Sequence, residues 1–130
     1  MGLRVLAVDD EADFLETLVK RFTYRQIPVT AASSGAEALA KLDAEAFDVV
    51  ILDMRMPGMD GLAVLKEIKK RHPLVEVIIL TGHASVEAGM QGMSLGAYDY
   101  VLKPVDFEEL LEKAKKAHER KKLNEARSRA

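Results

Sequence analysis

The sequence predicts an α/β fold, a doubly wound parallel sheet of five strands with helices on both faces. Strand-length apolar runs and amphipathic helical segments alternate five times along the chain. The central runs are continuous Val, Ile and Leu, which indicates strands that are buried on both faces. Strands that alternate with helices are typical of βαβ units, whose right-handed crossovers place helices on both sides of the sheet.

The five predicted strands are the runs of apolar residues bounded by polar or turn residues. They cover residues 3–8, 27–32, 49–52, 75–80 and 98–102. The fifth run is shorter than the first, second and fourth.

Five helices are predicted between and after these strands. They are expected to begin near Asp10 or Glu11, Ser34, Gly61, Ser85 and Asp106. The second has a clear start, because Ser34 precedes Glu37 by three residues, the spacing of a capping box. The third should close at His72-Pro73, since a residue before proline disfavours the helical conformation.

The composition indicates one domain with an ordinary apolar core. The chain has 130 residues, 48% of them hydrophobic, and no cysteine, so a disulfide framework and a thiolate metal site are excluded. No signal-like segment and no membrane-length apolar run is evident, which favours a cytoplasmic protein that does not enter the membrane.

The charge is unevenly distributed. Residues 113–130 contain eight of the 19 basic side chains and two of the 21 acidic ones. This basic tail fits the solvated end of a helix, because cations suit the C-terminal pole. A contact with a partner or with nucleic acid is the alternative.

Polar residues follow four of the predicted strands. Asp9 and Asp10 end the first, Asp53 the third, Thr81 the fourth and Lys103 the fifth. In a parallel sheet these ends lie on one edge, where doubly wound folds bind their ligands. Three carboxylates, a hydroxyl and an ammonium should therefore converge.

Such a cluster needs a cation. Two unit charges 4 Å apart repel by about 4 kcal/mol at an effective dielectric of 20, and one lysine cannot neutralise three carboxylates. Oxygen ligands of this kind suit Mg²⁺, which commonly shares its coordination sphere with phosphate oxygens. The chemistry indicated is phosphoryl transfer to a carboxylate nucleophile.

Each residue also has a purely structural interpretation. Asp10 and Thr81 fit helix caps, Asp53 fits a turn after a strand and Lys103 fits a surface lysine before a proline. The convergence of all four on one edge favours the functional interpretation.

Several motifs resemble those of receiver domains of bacterial two-component response regulators, similar to the single-domain chemotaxis receivers. They are VDDE at 8–11, LDMRMPGMDG at 52–61, LTGH at 80–83 and GAYDYVLKP at 96–104. The resemblance covers residues 3–118. It implies a flavodoxin-like sheet in the order 2-1-3-4-5.

The resemblance also implies a role for each site residue. Asp53 would be the phosphorylated aspartate. The ligands of Mg²⁺ or Mn²⁺ would be Asp10, Asp53 and the backbone carbonyl of Arg55, with Asp9 holding a metal-bound water. Lys103 would pair with Asp53 or the phosphoryl group, through a cis peptide to Pro104.

Further residues would form the switch. Thr81 would move to bind a phosphoryl oxygen, and Tyr100 would rotate inward with it. Gly82, which has no side chain, leaves room beside the site and frees its N–H as a donor. A half-buried strand aromatic is the alternative interpretation of Tyr100.

Two positions of the resemblance bear on dephosphorylation. Arg55 and His83 are both large, and we hypothesise that they order or restrict the attacking water. Two solvated side chains at the mouth of the site are an equally good interpretation. The predicted fourth helix contains several glycines. They either lower the stability of the helix, which suits an element that changes between two states, or permit close packing.

The expected organisation is a receiver domain at residues 1–118 and a charged helical extension or linker at 119–130. Beyond Ala117 the apolar stripe fades, so this stretch is predicted not to pack on the core.

The phosphodonor would be a histidine kinase or a phosphotransfer protein. Partners would be an output domain or a second copy, through the fourth helix, fifth strand and fifth helix. No direct contact with nucleic acid or membrane is expected.

Two alternatives to a signalling module remain. An aspartyl-phosphate phosphatase has a second acid two residues after its nucleophile, where this chain has Arg55. A degenerate receiver used as a scaffold conflicts with the intact acidic set and Lys103. The expected protein catalyses only its own phosphorylation and dephosphorylation.

Overall fold

The computed structural model describes residues 2–56, 59–82 and 86–129. The strands in these residues are β1 (Val5–Val8), β2 (Val29–Ala32), β3 (Val49–Asp53), β4 (Arg55–Met56), β5 (Met59–Asp60), β6 (Glu76–Thr81) and β7 (Asp99–Leu102). The helices are α1 (Ala12–Tyr24), α2 (Gly35–Ala44), α3 (Gly61–Arg71), α4 (Val86–Ser94) and α5 (Phe107–Arg129). Pro57 and Gly58 of the motif at 52–61, His83, and Ser85 at the predicted start of the fourth helix lie outside the described residues.

Five strands form one parallel sheet in the order β2-β1-β3-β6-β7. Counted over the strands of this sheet, that is the predicted order 2-1-3-4-5, which is confirmed. The short strands β4 and β5 pair antiparallel and form a separate ladder directly after β3. Because the five main strands are parallel, their carboxyl ends lie at one edge of the sheet.

The core has two halves, one on each face of the sheet. Val5 and Ala7 of β1 belong to the half covered by α1 and α5, whereas Leu6 and Val8 belong to the half covered by α2 and α3. Successive side chains of a strand point to opposite faces. An apolar residue at every position of β1 thus reflects burial on both sides, as the doubly wound fold requires.

Helix starts follow the predicted capping chemistry. The Ser34 hydroxyl accepts from the N–H of Glu37 at 3.1 Å, and the Glu37 carboxylate accepts from the N–H of Ser33. The predicted capping box is therefore present, although its carboxylate reaches the residue before the cap. Asp106 likewise accepts from the N–H of Glu108 at 2.9 Å at the start of α5.

Glycines in α4 allow it to lie close to the sheet. A Cβ atom at Gly92 would lie 2.0 Å from Cδ1 of Ile79, and one at Gly89 would lie 3.2 Å from the ring of Tyr100. These contacts support the close-packing interpretation of both glycines. Gly96 has a φ of +105°, a left-handed conformation that suits glycine, just after the end of the helix.

The last helix runs unbroken past the predicted boundary at residue 118. Its predicted apolar stripe is buried as far as Ala117. Among the described residues, none beyond Ala117 belongs to the apolar core, and Leu123 is exposed. The stretch nevertheless contacts the domain through ion pairs. Arg120 forms an ion pair with Glu76, which is 2% exposed, and Lys121 lies 3.2 Å from Asp48. Charged groups make these contacts, so apolar periodicity does not detect them.

None of the helices in the described part of the chain combines the length and the apolarity needed to cross a membrane.

Candidate functional site

Four of the predicted site residues meet at the carboxyl edge of the sheet. One carboxylate oxygen from each of Asp9, Asp10 and Asp53 lies within 4.8 Å of the others. The Lys103 ammonium lies 3.1 Å from Oδ1 of Asp53 and 3.8 Å from Oδ2 of Asp9. The predicted convergence of these side chains is confirmed, because β1, β3 and β7 all end at this edge.

The two acids at the ends of β1 and β3 are buried. Asp9 is 1% exposed and Asp53 is 2% exposed, whereas Asp10 is exposed. Each buried carboxylate accepts a backbone N–H two residues further on, Asp9 from Glu11 at 2.9 Å and Asp53 from Arg55 at 3.3 Å. These turns hold the side chains in the cluster as the chain leaves the sheet.

One buried oxygen of the cluster lacks a hydrogen bond. Oδ2 of Asp9 has no hydrogen-bond partner among the residues that the structure describes. A buried polar atom without a partner is costly. A divalent cation held by oxygen ligands would stabilise it, so the three carboxylates fit such an ion.

The raised pKa of Asp9 also indicates that a cation would stabilise this cluster. Burial and the nearby Asp53 carboxylate raise its pKa from 3.8 to about 6, against the opposing effects of the Glu11 N–H and the Lys103 ammonium. Desolvation and a like charge both favour the protonated acid. The charged form of Asp9 is therefore less favourable than that of an exposed aspartate, and a nearby cation would stabilise it.

Lys103 is held by its backbone and at the end of its side chain. Its N–H donates to the carbonyl of Thr81 at 2.8 Å, and its peptide bond to Pro104 is cis, as the resemblance implied. Its ammonium lies 5.5 Å from the centroid of the Phe14 ring. Phe14 was not predicted as a site residue. No local pattern points to it, because its contact with Lys103 depends on how α1 packs on the sheet.

The predicted switch residues surround the end of β6. Thr81 is buried, and a Cβ at Gly82 would meet no atom of the described residues within 4 Å. Tyr100 is half-buried, with its ring against Gly89 of α4. Tyr100 is therefore in direct contact with α4. Arg55 is exposed, and His83 lies outside the described residues.

This fold and site define a class of protein, and comparison with known proteins identifies it. The model of the response regulator receiver domain matches residues 5–115, so the chain belongs to that family. Its function is that of a response-regulator receiver domain in two-component signalling.

Individual relatives agree. The DNA-binding transcriptional regulator NtrC of Escherichia coli K12 is 42% identical over 105 residues, which cover 81% of this chain and 22% of that protein. The transcriptional regulatory protein ZraR of Salmonella typhimurium is 40% identical over 116 residues, covering 87% and 26%. The chain thus spans only about a quarter of the length of these curated relatives.

Solved structures confirm the fold. NtrX from Brucella abortus in complex with ADP is 34% identical with a TM-score of 0.92, covering 98% of this chain and 30% of that one. A CheY-like receiver domain from Methanospirillum hungatei is 31% identical with a TM-score of 0.89, covering 95% and 99%. The second is a receiver of nearly the same extent as this chain.

Proposed function

We propose that Asp53 accepts a phosphoryl group from a histidine kinase or a phosphotransfer protein, in a reaction that requires Mg²⁺ or Mn²⁺. One observation carries the proposal. The Asp53 carboxylate is buried at the end of β3, within 4.8 Å of two other carboxylates and 3.1 Å from an ammonium. A nucleophile, a cation site and a fixed positive charge lie within reach of one another.

The metal ligands proposed are the carboxylates of Asp10 and Asp53 and the backbone carbonyl of Arg55, with Asp9 acting through a water. The N–H of Arg55 donates to Asp53, which keeps residue 55 beside the cluster. A bound cation supplies positive charge that offsets the repulsion between the carboxylates and the phosphoryl oxygens.

The transfer is an in-line displacement at phosphorus. An Asp53 oxygen forms the new O–P bond while the P–N bond of the donor phosphohistidine breaks. The leaving nitrogen keeps the electron pair of that bond and takes up one proton from solvent. The Lys103 ammonium lies beside the Asp53 carboxylate, and after the transfer it would pair with a phosphoryl oxygen.

The same residues support a switch. The Thr81 hydroxyl and the Gly82 N–H would bind phosphoryl oxygens, and Tyr100 would move with Thr81. Because the Tyr100 ring packs on Gly89, its movement would alter the surface of α4, β7 and α5. An output domain or a second copy of the chain would bind this surface. Residues 1–118 would act as the receiver and 119–130 as the extension or linker.

Intact-mass analysis tests the proposal. The chain is incubated with acetyl phosphate, with and without Mg²⁺, beside Asp53→Asn. We expect one phosphoryl adduct that needs Mg²⁺ and is absent from the variant. If neither an adduct nor Mg²⁺-dependent binding of beryllofluoride is found, a receiver that acts only as a scaffold is the better interpretation.

A further inference from the structure

The Lys103 ammonium has an aromatic neighbour that the proposed chemistry does not use. The Phe14 ring centroid lies 5.5 Å from it, within the range of a cation–π contact. The ammonium also faces Asp53 at 3.1 Å and Asp9 at 3.8 Å. The lysine is thus bounded by an aromatic ring as well as by its two carboxylate partners.

Phe14 is itself held in place. It lies in the first part of α1 and packs, half-buried, against the core half that includes Leu15, Leu18 and Val101. Both core leucines are on the same helix, so the orientation of α1 on the sheet decides where the ring lies. The ring is therefore a fixed surface for the lysine side chain.

Lys103 needs such a surface. Its side chain is 29% exposed and has a flexible four-carbon stem, so without a support the ammonium could turn to solvent. The aromatic face attracts the cation and covers part of the stem. We propose that Phe14 is a positioning residue, which holds the Lys103 ammonium against Asp53 during phosphoryl transfer. This inference rests on the proposed function of Asp53 and Lys103.

The test compares two substitutions of the ring. Phe14→Leu keeps an apolar side chain of similar bulk and removes the aromatic face, whereas Phe14→Tyr keeps the face. We expect Phe14→Leu to slow Mg²⁺-dependent phosphorylation by acetyl phosphate roughly 3- to 10-fold, and Phe14→Tyr to react at close to the wild-type rate. Mg²⁺ affinity should not fall in either variant, since the ring stabilises the lysine and not the carboxylates.

A second readout does not depend on activity. In the wild type, the ring current of Phe14 should shift the NMR signals of the Lys103 methylene groups next to the ammonium. The shift should be lost in Phe14→Leu and kept in Phe14→Tyr. These signals are assigned by their absence in Lys103→Arg.

Tyr98→Leu is the matched control. Tyr98 is also half-buried and also contacts a cation, Arg120, at 4.6 Å, but it lies at the opposite edge of the sheet. Its removal should leave the phosphorylation rate and the Lys103 signals unchanged.

Two results would overturn the inference. One is a wild-type rate for Phe14→Leu, and the other is the same Lys103 signals in wild type and Phe14→Leu. If the wild type neither takes up a phosphoryl group nor binds beryllofluoride with Mg²⁺, the proposed function fails, and the Lys103 signals still decide whether Phe14 positions the lysine.

Discussion

A carboxylic acid buried beside a second carboxylate prefers to keep its proton, and Asp9 is in this position. Burial is the main reason that its pKa is raised to about 6, and the Asp53 charge adds to the effect. In the folded protein Asp9 therefore binds a proton more tightly than in the unfolded chain. The acidic cluster therefore lowers the stability of the folded state unless a cation offsets its charge.

The sign of the pH dependence follows. Between the unfolded pKa of 3.8 and the folded pKa of about 6, the folded state binds more protons, so Asp9 lowers the free energy of unfolding as pH rises. Asp9→Asn removes this effect. We expect the free energy of unfolding of the variant, measured with urea and without metal, to exceed that of wild type by up to about 3 kcal/mol near neutral pH. At about pH 4 the difference should be much smaller.

Glu16→Gln serves as the control. A hydrogen bond from Lys20 lowers the pKa of the exposed Glu16, so this substitution should change stability in the opposite direction. Addition of Mg²⁺ should narrow the difference between Asp9→Asn and wild type. An advantage of Asp9→Asn that does not grow with pH would contradict the role given to burial.

At the scale of elements, α4 is shaped by what it packs against. Helix propensity alone favours alanine over glycine by up to about 1 kcal/mol at each interior position. The side of α4 that faces the sheet nevertheless carries Gly89 and Gly92, both buried, against Tyr100 and Ile79. Packing thus overrides propensity, and the contact with Tyr100 connects this helix to the switch proposed above.

Gly92→Ala tests this balance. Its Cβ would lie 2.0 Å from Cδ1 of Ile79, a fully buried side chain that has to leave its rotamer. Overpacking of this kind costs about 1–3 kcal/mol, more than the gain in propensity. We expect a net loss of about 1–2 kcal/mol in chemical denaturation. Gln91→Ala, on the exposed side of the same helix, should be nearly neutral, and a stabilised Gly92→Ala would show that propensity dominates.

At the scale of the whole molecule, ion pairs hold the end of α5 against the edge of the sheet where the strands begin. Glu76 is buried at the start of β6, where both Arg120 and Lys69 approach its carboxylate. The Arg120 guanidinium also stacks on the Tyr98 ring, and Lys121 pairs with Asp48. The carboxyl edge with its acidic cluster and this ionic edge lie at opposite ends of the sheet.

Truncation should show that these pairs belong to the folded unit. A chain that ends at residue 118 loses Arg120 and Lys121, and among the described residues Glu76 then keeps only Lys69 as an ion-pair partner, at 3.7 Å. Loss of one partner of a buried ion pair is strongly destabilising, and allowing for the partial exposure of Arg120 we expect about 2–3 kcal/mol.

A chain that ends at residue 125 retains both pairs. It should match the full chain in urea denaturation, whereas the shorter chain unfolds at a lower urea concentration. Equal stability of the two truncated chains would mean that the receiver is complete at residue 118, the predicted boundary.

Much of the fold and of the candidate site could be predicted from the chain alone. Continuous apolar runs indicated a parallel sheet, and because parallel strands end at one edge, Asp9, Asp53 and Lys103 were predicted to meet there. Local chemistry was equally informative at Ser34 and Asp106, where caps depend only on neighbours a few residues away. These features follow from periodicity and short spacing.

The tertiary structure decided what lies between helices and sheet. Phe14 reaches Lys103, and Arg120 reaches Glu76, only because α1 and α5 pack on the sheet in one orientation. Neither contact has a local pattern, and the second joins charged residues 44 positions apart. The sequence by itself therefore determined the sheet and the residues at its carboxyl edge. Helix packing decided which side chains support Lys103 and how far the folded unit extends, because long-range contacts depend on the relative position of whole elements.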